Sequence, residues 1–134
     1  MTAPTVFSAP HLVIIAEHHP RRPVLRLLGE LDVSNRGLLQ NLISSVLERR
    51  PQMLVLDLSG LGFMDCSALS VLADAHRRMA DDQCSLFVTG SQPIVRRLIS
   101  VVGLDAHLHL GTPQARHDAS QRDRGGDSPA EQTT

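Results

Sequence analysis

The sequence predicts an α/β fold: a mixed β-sheet of four or five strands, with amphipathic helices packed mainly on one face. Two observations support this prediction. Segments rich in Val, Ile and Leu alternate with segments of helical periodicity, in the order β-β-α-β-α-β-α. Such alternation requires right-handed crossovers and places parallel strands inside the sheet. Each helical segment has a single apolar stripe, so each is expected to cover the sheet with one side and meet water with the other.

The strands are predicted from short apolar runs. His11–Glu17 (HLVIIAE) and Pro23–Gly29 (PVLRLLG) flank the turn-like sequence HHPRR and are expected to form an antiparallel hairpin. Met53–Leu58 (MLVLDL) is nearly continuous in apolar residues, which is typical of a central strand covered on both faces. Ser85–Thr89 (SLFVT) is the next predicted strand, and a short last strand is expected around His107–Leu110.

Three segments have helical spacing. The first has apolar residues at i, i+4 and i+8 across 38–47, and either Asp32 or Ser34 is positioned to cap its start. The second runs from about Ser67 to Asp81. The third begins at Pro93, a residue that suits the first turn of a helix, with Ser91 as its expected cap.

The chain of 134 residues is predicted to contain one domain, residues 1–110, followed by a disordered tail, residues 111–134. The tail sequence, GTPQARHDASQRDRGGDSPAEQTT, contains no Val, Ile, Leu or aromatic residue. Such a segment cannot bury enough apolar surface to offset the entropy lost on ordering it.

Composition argues against several classes of function. The net charge is −1, and Trp and Tyr are absent, which leaves no basic surface or stacking platform for nucleic acid. The early apolar run LVIIA is far too short to cross a membrane. Cys66 and Cys84 fit neither a metal motif nor a disulfide framework. We expect a cytoplasmic protein, monomeric or weakly dimeric, without metal or cofactor and without affinity for nucleic acid or membranes.

The segment FMDCSAL, Phe63–Leu69, places a polar triplet where a buried strand gives way to a helix. In open α/β sheets, functional residues lie at the carboxyl ends of strands. Asp65 can cap the helix while Ser67 is only a tolerated first-turn residue, and the junction by itself favours that interpretation. The alternative is that Ser67 carries a phosphate, which the positive end of a helix would accept.

Known catalytic motifs do not fit this junction. A hydrolase elbow requires Gly-x-Ser-x-Gly, but Asp65 and Leu69 stand at the glycine positions around Ser67. A cysteine-dependent phosphatase requires an arginine closing a loop after Cys66, and the next arginine is Arg77. No Gly-x-Gly-x-x-Gly follows a predicted strand. The sequence therefore predicts a protein that is not an enzyme.

The motif GELD at Gly29–Asp32, followed by a helix and then LVLDLSGLGFMDCSAL, resembles the STAS domain of anti-sigma factor antagonists. The consensus of that family at the junction is approximately Asp-Leu-Ser-x-x-x-Phe-x-Asp-Ser-Ser-Gly-Leu. The residues that match it in register are Asp57, Leu58, Ser59, Phe63, Asp65, Ser67 and Leu69. The first serine of the pair is replaced by Cys66 and the glycine by Ala68. The similarity extends from about Leu12 to Leu110.

The resemblance implies a mechanism. In that family the partner anti-sigma factor, a GHKL-type serine kinase, phosphorylates the serine that corresponds to Ser67, and a serine phosphatase would remove the phosphate. The unmodified protein would bind the anti-sigma factor and release a sigma factor, and phosphorylation would block that contact by charge repulsion and desolvation. The expected partner-binding residues are Asp32, Asp65, Cys66, Ser67, Ala68 and Leu69.

Two other functions stay open at this point. The second hypothesis is an unmodified STAS scaffold, within a stress-sensing assembly or a transporter complex. A small hydrolase that uses Cys66 or Ser67 as nucleophile is the third hypothesis.

Overall fold

A computed structural model describes residues 3–101 and 109–110. Within these ranges the α/β fold predicted from the sequence is confirmed. The strands are β1 (Thr5–Ala9), β2 (Leu12–Glu17), β3 (Val24–Leu31), β4 (Met53–Met64), β5 (Ser85–Thr89) and β6 (His109–Leu110). The helices are α1 (Arg36–Leu47), α2 (Cys66–Asp81) and α3 (Pro93–Val101). The predicted disordered tail, 111–134, lies outside the described residues.

The described strands form one mixed sheet in the order β1-β2-β3-β4-β5-β6. The pairs β1/β2 and β2/β3 are antiparallel, which confirms the predicted hairpin. The pairs β3/β4, β4/β5 and β5/β6 are parallel. At the carboxyl ends of β3 and β4, Leu31 is paired with Met64. The starts of α1 and α2, which follow these two strands, therefore lie side by side at one edge of the sheet.

The helices pack on one face of the sheet, as expected. Leu54, Leu56 and Leu58 of β4 are fully buried and belong to one core cluster with residues of all three helices. Val55, whose side chain points to the other face, is buried but is not part of that cluster. The predicted stripes are confirmed for these buried helical residues: Leu39, Ile43, Leu47, Leu69, Leu72, Ala75, Met79, Val95 and Ile99. Ile94, which the spacing of the third helix also predicts to be buried, is instead 60% exposed.

Two strands differ from the prediction. β1 was not expected, and it is an edge strand whose side chains are mostly exposed, so its sequence TVFSA carries no burial pattern to reveal it. β4 continues beyond Leu58 to Met64, although its last part contains two glycines. Register shifts against β3 keep Leu61 and Met64 buried in this irregular part of the strand. The apolar spacing is broken there, which is why the extension is not readable as a strand.

The expected helix caps are only partly correct. Asp65 caps α2, but neither Asp32 nor Ser34 caps α1, because that helix begins later, with Asn35 in the N-cap position. Ser91, the expected cap of α3, has a buried hydroxyl with no hydrogen-bond partner among the described residues. Proximity in sequence to the start of a helix therefore does not identify which polar side chain caps that helix.

Gly29, the glycine of GELD, allows two strands to approach closely. Its φ is +110°, a conformation that side chains rarely permit. A Cβ atom at this position would lie 2.3 Å from the carbonyl oxygen of His11. That oxygen accepts a hydrogen bond of 2.8 Å from the N–H of Glu30. Any side chain at position 29 would therefore disturb the end of β3, immediately before the candidate site.

Candidate functional site

The junction between β4 and α2 is organised by the carboxylate of Asp65. Asp65 has extended backbone geometry, and its Oδ1 accepts hydrogen bonds from the N–H of Ala68 at 2.9 Å and from the hydroxyl of Ser67 at 2.7 Å. Its Oδ2 accepts a longer bond, 3.3 Å, from the N–H of Val33. One carboxylate thus caps α2, orients the Ser67 hydroxyl and connects the junction to the chain that follows β3.

These contacts favour the ionised carboxylate. The hydrogen bond from the Ser67 hydroxyl is the largest influence that lowers the pKa of Asp65, and backbone N–H groups, including that of Ala68, add to it. Partial burial acts in the opposite direction but does not prevail. At neutral pH the Ser67 hydroxyl therefore donates its proton toward a fixed negative charge, and its lone pairs face away from Asp65.

The structure separates the predicted site residues into two groups. Ser67 is half-buried, so part of the residue reaches the surface, and Cys66 beside it is exposed. Ala68 and Leu69, in contrast, are 0% and 5% exposed and belong to the core cluster. We therefore assign Ala68 and Leu69 to anchoring α2 against the sheet and not to a contact surface.

Asp32 lies on the neighbouring chain segment, between Leu31 and Val33. Both of these residues are hydrogen-bonded through their backbone to Asp65. The Asp32 Oδ1 accepts from the N–H and the hydroxyl of Ser34, at 2.9 and 2.6 Å. Of the two sequence-based hypotheses for Asp32, the helix-capping one is wrong, and the structure places its carboxylate in the turn that borders the Asp65 junction.

Asn35 fixes the shape of that turn. It is 2% exposed, and its amide nitrogen donates to the carbonyl oxygens of Pro10 and Glu30 at 2.7 and 2.9 Å. Its Oδ1 accepts from the N–H of Asp32 at 2.9 Å. A buried side-chain amide therefore binds three backbone groups, one in the β1–β2 turn and two at the end of β3, beneath the exposed part of the turn.

Three further residues at this edge were not predicted from the sequence. Val33 and Phe63 are large apolar side chains that are 64% and 43% exposed beside the junction. The guanidinium of Arg36 donates to the carbonyl oxygen of Ser67 at 2.9 Å. Val33 stands alone between polar residues in the sequence, which is a usable signal for an exposed contact residue, whereas nothing in the sequence indicates where Arg36 points.

Asp57 belongs to the motif but lies away from the junction. Its Oδ1 accepts from the N–H of Ser59, two residues further along β4, at 2.9 Å, and its Oδ2 accepts from Arg26 at 2.9 Å. Burial raises the pKa of Asp57, but the bonds from Ser59 and Arg26 outweigh it and leave the pKa lowered. Arg26 also pairs with Glu17 at 2.7 Å. This ion-pair chain braces three strands and is a structural element.

Family comparison decides the class of domain to which this arrangement belongs. The family model for the STAS domain matches residues 13–118. The chain belongs to the STAS domain family. The resemblance found in GELD and FMDCSAL is thereby confirmed over most of the chain.

Characterised relatives of this STAS protein have related names. It is 30% identical to the anti-sigma-F factor antagonist RsfB of Mycobacterium tuberculosis over 120 residues. The matched region covers 89% of this chain and 96% of the relative. It is 32% identical over 95 residues to an anti-sigma F factor antagonist of Paenibacillus polymyxa, covering 70% of this chain and 81% of the relative. A crystal structure of an anti-sigma factor antagonist from Mycobacterium paratuberculosis superposes with a TM-score of 0.71 at 29% identity, covering 84% of this chain and 97% of that one.

Within residues 3–101 and 109–110, no group of three or more His, Cys, Asp and Glu side chains is arranged to hold a metal ion. None of the helices in residues 3–101 is both long enough and apolar enough to cross a membrane.

Proposed function

We propose that this STAS protein is a cytoplasmic anti-sigma factor antagonist whose binding is switched off by phosphorylation of Ser67. One observation carries the proposal: Ser67 is half-buried at the start of α2, and its hydroxyl donates a hydrogen bond of 2.7 Å to the Asp65 carboxylate. The names of the relatives support the class of function. Binding of a protein partner, and not catalysis, is the activity that we propose.

The partner surface that we propose differs from the one expected from the sequence. It consists of Asp32, Val33, Phe63, Asp65, Cys66 and Ser67, and we call it the junction surface. Val33 and Phe63 supply the exposed apolar area that a protein interface requires at its centre, and the carboxylates supply its polar border. The partner is an anti-sigma factor that is also a GHKL-type serine kinase, and a serine phosphatase would restore binding.

Phosphorylation would change the electrostatics of this surface directly. The phosphate adds about −1.5 to −2 charges at neutral pH. It also replaces the hydroxyl proton that Ser67 donates to Asp65, so that a hydrogen bond of 2.7 Å becomes a contact between two anions. A helix N-terminus stabilises an anion by only about 0.3–1 kcal/mol, which does not compensate for repulsion plus the desolvation of a phosphate in an interface. The phosphorylated protein is therefore expected to bind its partner poorly, without refolding.

The test is phosphorylation by the purified cognate anti-sigma kinase with ATP. The wild-type chain should acquire one phosphate, and Ser67→Ala should acquire none. Ser70→Ala is the matched control, because Ser70 is the next serine on α2 and is exposed. It should be labelled like the wild type. Equal labelling of Ser67→Ala, or loss of labelling in Ser70→Ala alone, would show that Ser67 is not the acceptor.

Affinity purification from cell extract tests the class of partner. Recovery of a GHKL-type kinase supports the antagonist function. Recovery of a transporter ATPase instead, with no phosphate on Ser67, would replace our proposal with the scaffold function.

A further inference from the structure

Arg36 brings a positive charge to the residue that we propose is modified. It is the first residue of α1, yet its side chain reaches α2, where Nη1 lies 2.9 Å from the carbonyl oxygen of Ser67 and 3.4 Å from the hydroxyl oxygen of Ser70. Arg36 is half-buried, and it takes part in none of the ion pairs formed within the described part of the chain. The hydrogen-bond acceptors of its guanidinium there are neutral oxygens.

The position of Arg36 is set by the buried turn before it. Its N–H donates to the carbonyl oxygen of Asp32 at 2.9 Å. The preceding residue, Asn35, is buried and hydrogen-bonded to three backbone groups. The backbone of Arg36 is therefore fixed, and its guanidinium lies near α2 before Ser67 is modified.

We propose that Arg36 is the intramolecular receiver of a phosphate on Ser67, an inference that rests on the proposed function for the identity of the modified residue. The carbonyl and side-chain oxygens of Ser67 belong to one residue, so a guanidinium that contacts the first is within reach of a group attached to the second. Arginine binds phosphate through two parallel charge-assisted hydrogen bonds, which are stronger than its present bond to a neutral carbonyl.

The carboxylate of Asp65 determines on which side of Ser67 the phosphate lies. In the unmodified protein the Ser67 hydroxyl donates to Asp65. After phosphorylation that proton is gone, and the carboxylate repels the phosphate instead. The side chain of Ser67 then loses its hydrogen bond to Asp65, and the attached phosphate pairs with Arg36 instead. The bond from Arg36 to the Ser67 carbonyl oxygen is given up for the phosphate.

This exchange also determines how much charge the modification leaves exposed. Pairing with one guanidinium reduces the added charge from about −2 to about −1. The remaining charge still faces the junction surface, so the block to partner binding persists. Arg36 thus gives the phosphorylated Ser67 side chain a defined position, different from the one it has before modification.

The experiment is a ³¹P NMR pH titration of the full-length chain with phosphoserine introduced at position 67 by amber suppression. A cation that pairs with the phosphate stabilises the dianion and lowers its second pKa below the ordinary value of about 6. Arg36→Gln should raise that pKa by about one unit, as expected on removing one close opposite charge. Arg36→Lys, which keeps the charge but not the paired donors, should raise it by less.

Arg97→Gln is the matched control, because Arg97 is an exposed arginine on α3. It should leave the phosphate pKa unchanged. The proposal is overturned if Arg36→Gln leaves the pKa at its wild-type value, or if Arg97→Gln moves it equally, which would indicate only a general effect of net charge. Should Arg36→Gln fail to fold in ¹H–¹⁵N spectra, Arg36→Met, which keeps a long side chain but removes the charge, decides the question, and an unchanged pKa in that folded variant overturns the proposal.

Because the phosphoserine is encoded, this result does not depend on a kinase. Absence of phosphorylation by the anti-sigma kinase would remove the proposed function without changing the titration. A normal phosphate pKa together with efficient labelling of Ser67 would remove the role of Arg36 and leave the proposed function in place.

Discussion

The β3–α1 and β4–α2 junctions lie side by side at one edge of the sheet, but they use their polar side chains in different ways. In the first, Asn35 is buried, makes no capping bond to its own helix and ties together Pro10, Glu30 and Asp32. In the second, Asp65 caps its helix and accepts a hydrogen bond from the hydroxyl of the half-buried Ser67. The β3–α1 junction is stabilised by a buried side chain, whereas the β4–α2 junction carries the hydroxyl that we propose is phosphorylated.

The difference indicates a division of labour between neighbouring loops. A surface hydroxyl is useful as a switch only if the surface around it has a defined shape. The buried amide of Asn35 fixes the backbone of Asp32 and Arg36, and the N–H of Val33 reaches the Asp65 carboxylate. We infer that the structural junction determines the surroundings of the functional one.

The largest expected effect is on stability, from Asn35→Ala. The substitution removes three buried hydrogen bonds. Each buried group left without a partner costs about 1–3 kcal/mol, so we expect the free energy of unfolding to fall by at least about 3 kcal/mol. Asn41→Ala, an exposed asparagine on α1, is the control and should change it by less than about 0.5 kcal/mol. Urea denaturation measures both, and similar values for the two variants would contradict the role of Asn35.

The next effect concerns partner binding by the junction surface. Val33→Ser should weaken binding of the unphosphorylated protein to its anti-sigma factor about tenfold, since a central apolar contact contributes more than about 1 kcal/mol. Val6→Ser is a matched control, because Val6 on β1 is 63% exposed against 64% for Val33. Calorimetric titration should show an unchanged dissociation constant for the control. Equal affinity of the two variants would place the interface elsewhere.

A smaller effect is expected from Asp65→Ala. Loss of the cap on α2 should lower the free energy of unfolding by about 1 kcal/mol. Asp81→Ala removes an acid from the other end of the same helix, where a negative charge is unfavourable, and should not destabilise the protein. Thermal unfolding compares the two variants. A destabilisation by Asp81→Ala as large as that by Asp65→Ala would mean that capping is not the cause.

The smallest effect is a dependence on pH. Because the pKa of the Asp65 carboxyl is lowered in the folded state, its contribution to stability is present above the ordinary aspartate pKa of about 3.9 and is lost as the pH falls through the lowered value. The difference in unfolding free energy between wild type and Asp65→Asn should therefore be smaller at pH 3 than at pH 7. Asp57 titrates in both proteins, so the comparison isolates Asp65. A difference that grows on acidification would contradict this account.

Much of the candidate site was predictable from local sequence. Asp65 and Ser67 were identified because a polar triplet between a buried strand and an amphipathic helix is conspicuous, and the family motif supports the same positions. The motif includes Ala68 and Leu69 among the expected partner-binding residues, whereas helical periodicity places Leu69 in the core, and the structure buries both. Val33, which stands alone between polar residues, carries a usable local signal of exposure, whereas the exposure of Phe63 in β4 depends on the neighbouring strands.

The sequence by itself determined the alternation of strands and helices, the apolar stripes and the hydroxyl at the start of α2, because periodicity and capping act over a few residues of chain. Only the tertiary structure decided that Arg36 lies against Ser67, residues that are far apart in sequence and meet because β3 and β4 are parallel neighbours. It likewise decided that Asn35 is buried and that Asp32 borders the Asp65 junction. Strand pairing brings distant residues together, and its register depends on how the whole core packs, which no short segment encodes.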